Sequence, residues 1–292
     1  MIILREDVSQ PPSDKATPPN VHDIIIFDVL FGAGVVFLLP ILSVALYSRH
    51  IKRASTWYMV IGSWVITSLS NLILLGQQTG RPPNAGICLM QAMLIYATPV
   101  LCSFTAVAFM LQVYLSIILS LRWNSKISRV QMRFLHLVPV VSFFCVLIEV
   151  MIIGLLNPAQ VQRTSSGVYC NLSGSLASMI TAGLTILAML MIIIVEILTA
   201  ITLRRLWKSS GRTNAVANNE FLSIDVIARV AVFSFCPMIA LAISLLQYLP
   251  SHNIDIAKLE IAVAILPCCA ILIFGSQKDL LRAFMFWKGQ KI

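Results

Sequence analysis

The 292 residues are 58% hydrophobic and only 11% charged, with a net charge of +9 and a mean hydropathy of +0.88. Soluble domains carry about 25% charged residues, so this chain lacks the polar side chains to cover itself and needs a lipid bilayer as part of its solvent. That excludes an ordinary water-soluble enzyme, and no nucleic-acid partner is read from the positive charge, whose position matters more than its sum.

The chain opens with MIILREDVSQPPSDKATPPN, polar and rich in Pro, with no long apolar core after a basic start. Residues 1–22 are expected to form a disordered extracellular tail and not a cleaved signal peptide. Seven apolar runs follow, at about 24–47, 57–76, 88–121, 134–156, 176–203, 226–248 and 256–274. Each is about the ~20 residues that a helical span needs. Backbone in hydrocarbon must pair internally, so the runs are predicted to be helices. The fold class is therefore an all-α membrane protein, a seven-transmembrane helix bundle over residues 23–275. No internal repeat is visible, which disfavours an inverted-repeat transporter. The third run is long enough to tilt strongly.

The basic residues orient the bundle. Sixteen of the 21 Lys and Arg lie after the odd-numbered runs or, for Arg229, one turn into the sixth, among them Arg49, Lys52, Arg53, Arg122, Lys126, Arg129, Arg133, Arg204, Arg205, Lys208 and Arg212. Only Arg5, Lys15, Arg81, Arg163 and Lys258 fall on the other side. The positive-inside rule then places the N-terminus outside and the C-terminus in the cytoplasm. Residues 276–292 mix Lys278, Arg282 and Lys288 with Leu280, Leu281, Phe284, Phe286 and Trp287. They are expected to form a short cytoplasmic amphipathic helix after the seventh run.

Of seven Cys, five (Cys102, Cys145, Cys236, Cys268, Cys269) lie within apolar runs. Cys88, at the outer start of the third run, and Cys170, in the second outer loop, are the two that an oxidising compartment would join, so they are expected to form a disulfide. The same loop carries Asn171-Leu172-Ser173, the sole Asn-x-Ser/Thr sequon, so Asn171 is a candidate glycosylation site. The four His (His22, His50, His136, His252) have no metal-ligand spacing with one another or with Cys. No catalytic constellation is apparent, so neither enzyme activity nor a metal or other cofactor is expected.

Pro40, Pro99, Pro139, Pro237 and Pro267 lie inside runs, where each removes a backbone hydrogen bond. Pro237, in Phe233-Ser-Phe-Cys-Pro-Met, and Pro267, in Leu266-Pro-Cys-Cys, are the candidate hinges. Four acids lie in the spans, where a charge facing lipid costs about 3 kcal/mol or more. Asp28 and Glu149 are candidates for an outer pocket. Glu260 falls near the outer boundary, where an interfacial position competes with a pocket role. Glu196 lies about two turns above Arg204 and is placed to latch to Arg229 or Arg122, unless Asp225 and Arg229 pair with each other at i,i+4 spacing. Further candidates for the pocket are Gln91, Tyr96, Thr98, Ser178, Thr181, Gln247 and Tyr248, each of which also suits a plain helix–helix hydrogen bond.

Cys88-Leu-Met-Gln-Ala at the head of the third run, Gln112-Val-Tyr-Leu near its end, Pro in the sixth and seventh runs and the Phe274-Gly-Ser-Gln-Lys-Asp junction together resemble fungal G-protein-coupled receptors related to the slime-mould cyclic AMP receptor group. The chain departs from rhodopsin-like receptors. The third run ends Leu121-Arg122-Trp123, keeping only the Arg of an acid-Arg-aromatic triplet, and Leu266-Pro267-Cys268-Cys269-Ala270 keeps only the Pro of Asn-Pro-x-x-Tyr. The resemblance implies a plasma-membrane receptor that answers an extracellular ligand of unknown kind by opening the sixth helix towards a heterotrimeric G protein. Arg122, Arg204, Arg205 and Arg229 would then line the cytoplasmic cleft. Two other readings compete. A retinal photoreceptor needs a Lys in the middle of the seventh run, where only the edge residue Lys258 stands. A small-molecule transporter or channel needs a continuous polar path, for which the acids are too dispersed.

Overall fold

A computed structural model of the chain describes residues 20–47, 53–121, 127–173, 175–210 and 256–276. The elements are α1 (Val21–Tyr47), α2 (Ser55–Asn71), α3 (Ala85–Leu121), α4 (Arg129–Leu156), a short 3-10 turn (Pro158–Gln160), β1 (Val161–Arg163), β2 (Cys170–Leu172), α5 (Ser175–Ser210), α6 (Ile256–Ala264) and α7 (Leu266–Gly275). The sixth run, 226–248, and the expected amphipathic tail beyond Ser276 lie outside the described residues, as does the N-terminal tail before Asn20.

The helices follow from apolar runs whose buried positions trace one stripe. In α1, Ile24, Phe27, Phe31, Gly34, Leu38, Ile41 and Ala45 are buried, at steps alternating between three and four residues. Such a stripe presents about one residue per turn to a neighbouring helix. The other face of α1 is just as apolar, with Val29, Val36, Phe37 and Leu46 exposed. α4 repeats the pattern: Leu135, Pro139, Val146, Val150 and Gly154 are buried, while Phe134, Leu137, Val141, Phe144, Ile148 and Ile152 are exposed. In water so much apolar surface would aggregate; in a bilayer it is the solvated face. Among the described residues, five helical stretches, Val21–Tyr47, Ala85–Leu119, Arg129–Leu156, Leu176–Arg205 and Lys258–Gly275, are long and apolar enough to cross a membrane. They mark the chain as a multi-pass membrane protein in contact with lipid.

Among the described helices, α3 is the central one. It packs against α2, α4, α5 and both strands, whereas α1 packs against α2, α6 and α7. A hydrogen-bonded seam fastens α2 to α3 along their length. Gln112 Oε1 accepts from the Thr56 hydroxyl, Ser63 Oγ and Thr105 Oγ1 are 3.1 Å apart, and Thr67 Oγ1 meets Cys102 Sγ at 3.2 Å. A step of seven forward on α2, from 56 to 63, is matched by seven backward on α3, from 112 to 105, the register of an antiparallel pair. Interhelical bonds of this kind are worth about 0.6 kcal/mol each in membrane bundles, and here they fix the register of two otherwise greasy surfaces.

The structure corrects several limits. The second run does not continue as helix to 76: α2 stops at Asn71 and the chain turns through 72–76, with Leu74 fully buried and Gly76 at φ +81°. Hydropathy saw a buried turn as more helix because Leu72, Leu74 and Leu75 are apolar either way. Arg129 and Arg133, assigned to a loop, occupy the first turns of α4, which starts at a Ser128–Gln131 capping box. Arg204 and Arg205 lie inside α5, which extends to Ser210. The seventh run stays helical but for one irregular residue, Ile265, two before Pro267; Ile265 keeps right-handed helical angles and its carbonyl accepts from Cys269 N at 3.0 Å. Pro has no N–H and its ring crowds the preceding turn, which accounts for the irregular residue between α6 and α7, with Pro at the second position of α7.

The irregularity is locked by packing. A Cβ on Gly34 would lie 2.5 Å from Ser68 Oγ and 3.0 Å from Pro267 Cβ, so α1, α2 and α7 meet only because residue 34 has no side chain. At this depth Cys268 Sγ approaches the Leu30 carbonyl at 3.8 Å. Towards the end opposite the hairpin, Tyr58 donates to the Ala45 carbonyl at 3.1 Å and Trp57 and Phe274 form an edge-to-face pair, centroids 6.0 Å apart.

Candidate functional site

The loop between α4 and α5 folds into a two-stranded antiparallel hairpin with Arg163 opposite Cys170 and Val161 opposite Leu172. Its turn closes with Gly167 at φ +82°, a left-handed conformation that suits Gly. Thr164 N donates to the Tyr169 carbonyl at 2.9 Å. Several attachments hold the hairpin to the bundle. Cys170 is disulfide-bonded to Cys88 near the start of α3, as the sequence predicts. Gln91, one turn further along α3, is fully buried; its Oε1 accepts from Cys170 N at 2.9 Å and its Nε2 donates to the carbonyls of Ser70 (3.2 Å) and Asn71 (3.4 Å). The Arg163 guanidinium donates to the carbonyls of Gln77, Gly80 and Arg81 at 3.0–3.4 Å, clamping the hairpin to the α2–α3 connection.

Anchored this way, the hairpin turn lies against the ends of α1 and α6. Val168, 3% exposed, joins Ile24, Phe27, Phe31 and Ala264 in one apolar cluster, with Tyr169 packed on it. The Tyr169 and Phe27 rings are 6.5 Å apart and tilted by 31°. Glu260, in the second turn of α6, is enclosed at 3% exposure. Ser166 and Tyr169 of the hairpin approach its carboxylate, yet neither Oε1 nor Oε2 has a partner in hydrogen-bond geometry. The sequence placed Glu260 near a boundary; the structure buries it inside the protein. One helical turn separates Asp28 from the Ile24 and Phe31 layers of the same cluster, but Asp28 is already engaged, accepting from Gln78 Nε2 at 2.6 Å.

The other candidates are distributed more widely. Tyr96 donates to the Leu172 carbonyl at 3.2 Å and lies 3.4 Å from Ser178 Oγ; Thr181 donates to the Tyr96 carbonyl at 3.3 Å. These residues join α3, α5 and β2 to one another, and Thr98 is buried in α3. Glu149 is half-exposed on α4 between the buried Val146 and Val150, with Oε1 enclosed and unpartnered. Asn171 is half-exposed in β2, opposite Gln162. At the far end, Arg204 and Arg205 are exposed and Glu196 is half-exposed on α5. Arg122, Asp225, Arg229, Pro237, Gln247 and Tyr248 lie outside the described residues, and with them both partners of the Glu196 latch. Pro267 is buried at the α6–α7 junction.

Sequence reasoning did not select Gln78, Ser166 or Tyr169. Their recruitment depends on the hairpin turning back over α1 and α6, and the available signal was slight: an aromatic directly before a bridged Cys. Compared with models of known protein families and with curated proteins, the chain matches none.

Proposed function

We propose that the chain is a G-protein-coupled receptor-like sensor of seven spans, with the hairpin end outside, that passes an extracellular signal to a heterotrimeric G protein at the plasma membrane. The observation that carries this reading is the Cys88–Cys170 bridge, which ties the head of the central helix to a hairpin drawn over the mouth of the bundle. A ligand entering there touches the hairpin, α1 and α6 together, and so has a route to bias the bundle between two arrangements; its leverage is its differential affinity for them. Both α5 and α6 begin at the hairpin end, the parity that the seven-run reading requires. The basic excess on the opposite side supports its assignment to the cytoplasm, where the exposed Arg204 and Arg205, with Arg122 and Arg229, offer a cationic face to a G protein.

The irregularity before Pro267 would give the seventh span a hinge. Asn171 on the same hairpin would then be on the glycosylated side of the membrane. The test is coexpression with fungal Gα subunits and a nucleotide-exchange readout. Coupling is expected to be lost when Arg204 and Arg205, or Arg122 and Arg229, are changed to Ala in protein that still reaches the membrane. Unchanged exchange in both pairs sinks the cleft. Selective solute flux through reconstituted vesicles would instead favour a transporter.

A further inference from the structure

We propose that Glu260 binds the ammonium group of a small organic amine beneath the hairpin, beside Ser166, Tyr169 and Phe27. The inference rests on the receptor reading for its meaning as signal recognition, whereas binding itself is measured without any G protein.

A carboxyl group that is 97% enclosed with neither oxygen hydrogen-bonded contrasts with Gln91, Gln112, Ser63 and Thr105, which are all paired; among the described residues the Trp57 indole N–H and one Glu149 oxygen are also enclosed without a partner, but only Glu260 has both carboxyl oxygens in that state. Leaving a buried charge uncompensated is costly, so such groups recruit a counter-ion or stay neutral. The described neighbours supply no cation in bonding geometry. Ser166 brings a hydroxyl and Tyr169 a phenol, and the Tyr169 and Phe27 rings lie against each other next to them. An acid flanked by hydroxyls and aromatic rings suits an ammonium: the carboxylate takes the charge, the hydroxyl oxygens accept its remaining N–H bonds, and the ring faces favour its positive methylenes.

A divalent metal fits less well. Ca²⁺ and Mg²⁺ take about six or more oxygen ligands, mainly from carboxylates and carbonyls, and among the described residues no group of three or more His, Cys, Asp or Glu is assembled. The nearby Asp28 is committed to Gln78. The lining cluster of Ile24, Phe31, Val168 and Ala264 is apolar, which suits an amine with a hydrocarbon or aromatic tail better than a polyhydroxylated one.

The experiment uses the full chain in lipid nanodiscs with butylamine, phenethylamine and ethanolamine, each beside its neutral N-acetyl form. Thermal unfolding and hydrogen exchange of the 161–173 peptide are followed against concentration. At least one amine is expected to give a saturable rise in Tm and hairpin protection that its N-acetyl form lacks, with phenethylamine stronger than ethanolamine. Glu260→Gln, which keeps the shape and removes the charge, should weaken the apparent affinity by at least about tenfold. If that variant does not fold, Tyr169→Ala on the hairpin surface of the site serves the same purpose, with a similar loss expected. No saturable response to any amine overturns the proposal, as does equal response to charged and acetylated forms. An undiminished response in the folded variant also overturns it and leaves Glu260 as a permanently neutral packing residue. Amine binding with no nucleotide exchange would retain the site and count against the receptor reading alone.

Discussion

Replacing Gln91 with Leu isolates what one buried amide contributes to the candidate site. Leu approximates the volume of Gln, so packing in α3 is largely kept, but the acceptor for the Cys170 N–H disappears from a position with 0% exposure. Water does not reach that position in the closed structure. A buried donor left unpaired costs about 1–3 kcal/mol. The disulfide to Cys88 still holds Cys170 near α3, so the loss falls on local closure of the hairpin and not on the bundle. At about 1.4 kcal/mol per decade, hairpin opening becomes about 5- to 150-fold more populated. Hydrogen exchange of the 161–173 peptide in nanodiscs reads this directly, with an α4 peptide as internal control. Exchange within about twofold of wild type would refute the reasoning, because it would mean that the Gln91–Cys170 bond does not hold the hairpin shut.

Gly34→Ala places a methyl carbon against Ser68 and Pro267; overpacking of this kind costs about 1–3 kcal/mol, read as a lower Tm, and an unchanged Tm would mean that α1 and α7 separate freely. Arg163→Ala removes three bonds to the α2–α3 connection and should speed exchange in both 161–173 and 77–81 while sparing α4. Thr56→Val and Gln112→Leu, made singly and together, should show a coupling of about 0.5–2 kcal/mol in a double-mutant cycle; additive effects would argue against a shared hydrogen bond. Reducing the Cys88–Cys170 bridge should lower Tm. The 82-residue separation sets an upper bound of about 4.5 kcal/mol on the chain-entropy model, and the observed cost should be smaller because helices held in lipid keep the reduced chain ordered.

Much of the scaffold was legible because the bilayer makes simple demands. Apolar runs marked α1, α3, α4 and α5 to within a few residues of one end or both, and cysteine placement alone picked out Cys88 and Cys170. The errors have a common physical source. Hydropathy measures what is apolar, not what is helical, so it carried the second run through the buried turn at Leu74. The same blindness affected the acids: Asp28, Glu149 and Glu260 look alike as isolated charges in apolar sequence, yet one bonds Gln78, one sits half-exposed on α4 and one is enclosed without a partner.

What the sequence determined by itself was the environment and the element type: too few polar residues for water, runs long enough to cross lipid, and one thiol pair at a span's end and in an adjoining loop. These are local or compositional properties, and each follows from transfer energies summed along the chain. What only the tertiary structure decided was which polar groups find one another. Gln112 meets Thr56 and Gln91 meets Cys170 because helices and hairpin return from 56 and 79 residues away, and Glu260 is enclosed because the turn around Gly167 brings Val168 and Tyr169 down onto α1 and α6. Hydrogen bonds and burial are pairwise and depend on distance, so no property of Glu260 alone could have announced its isolation.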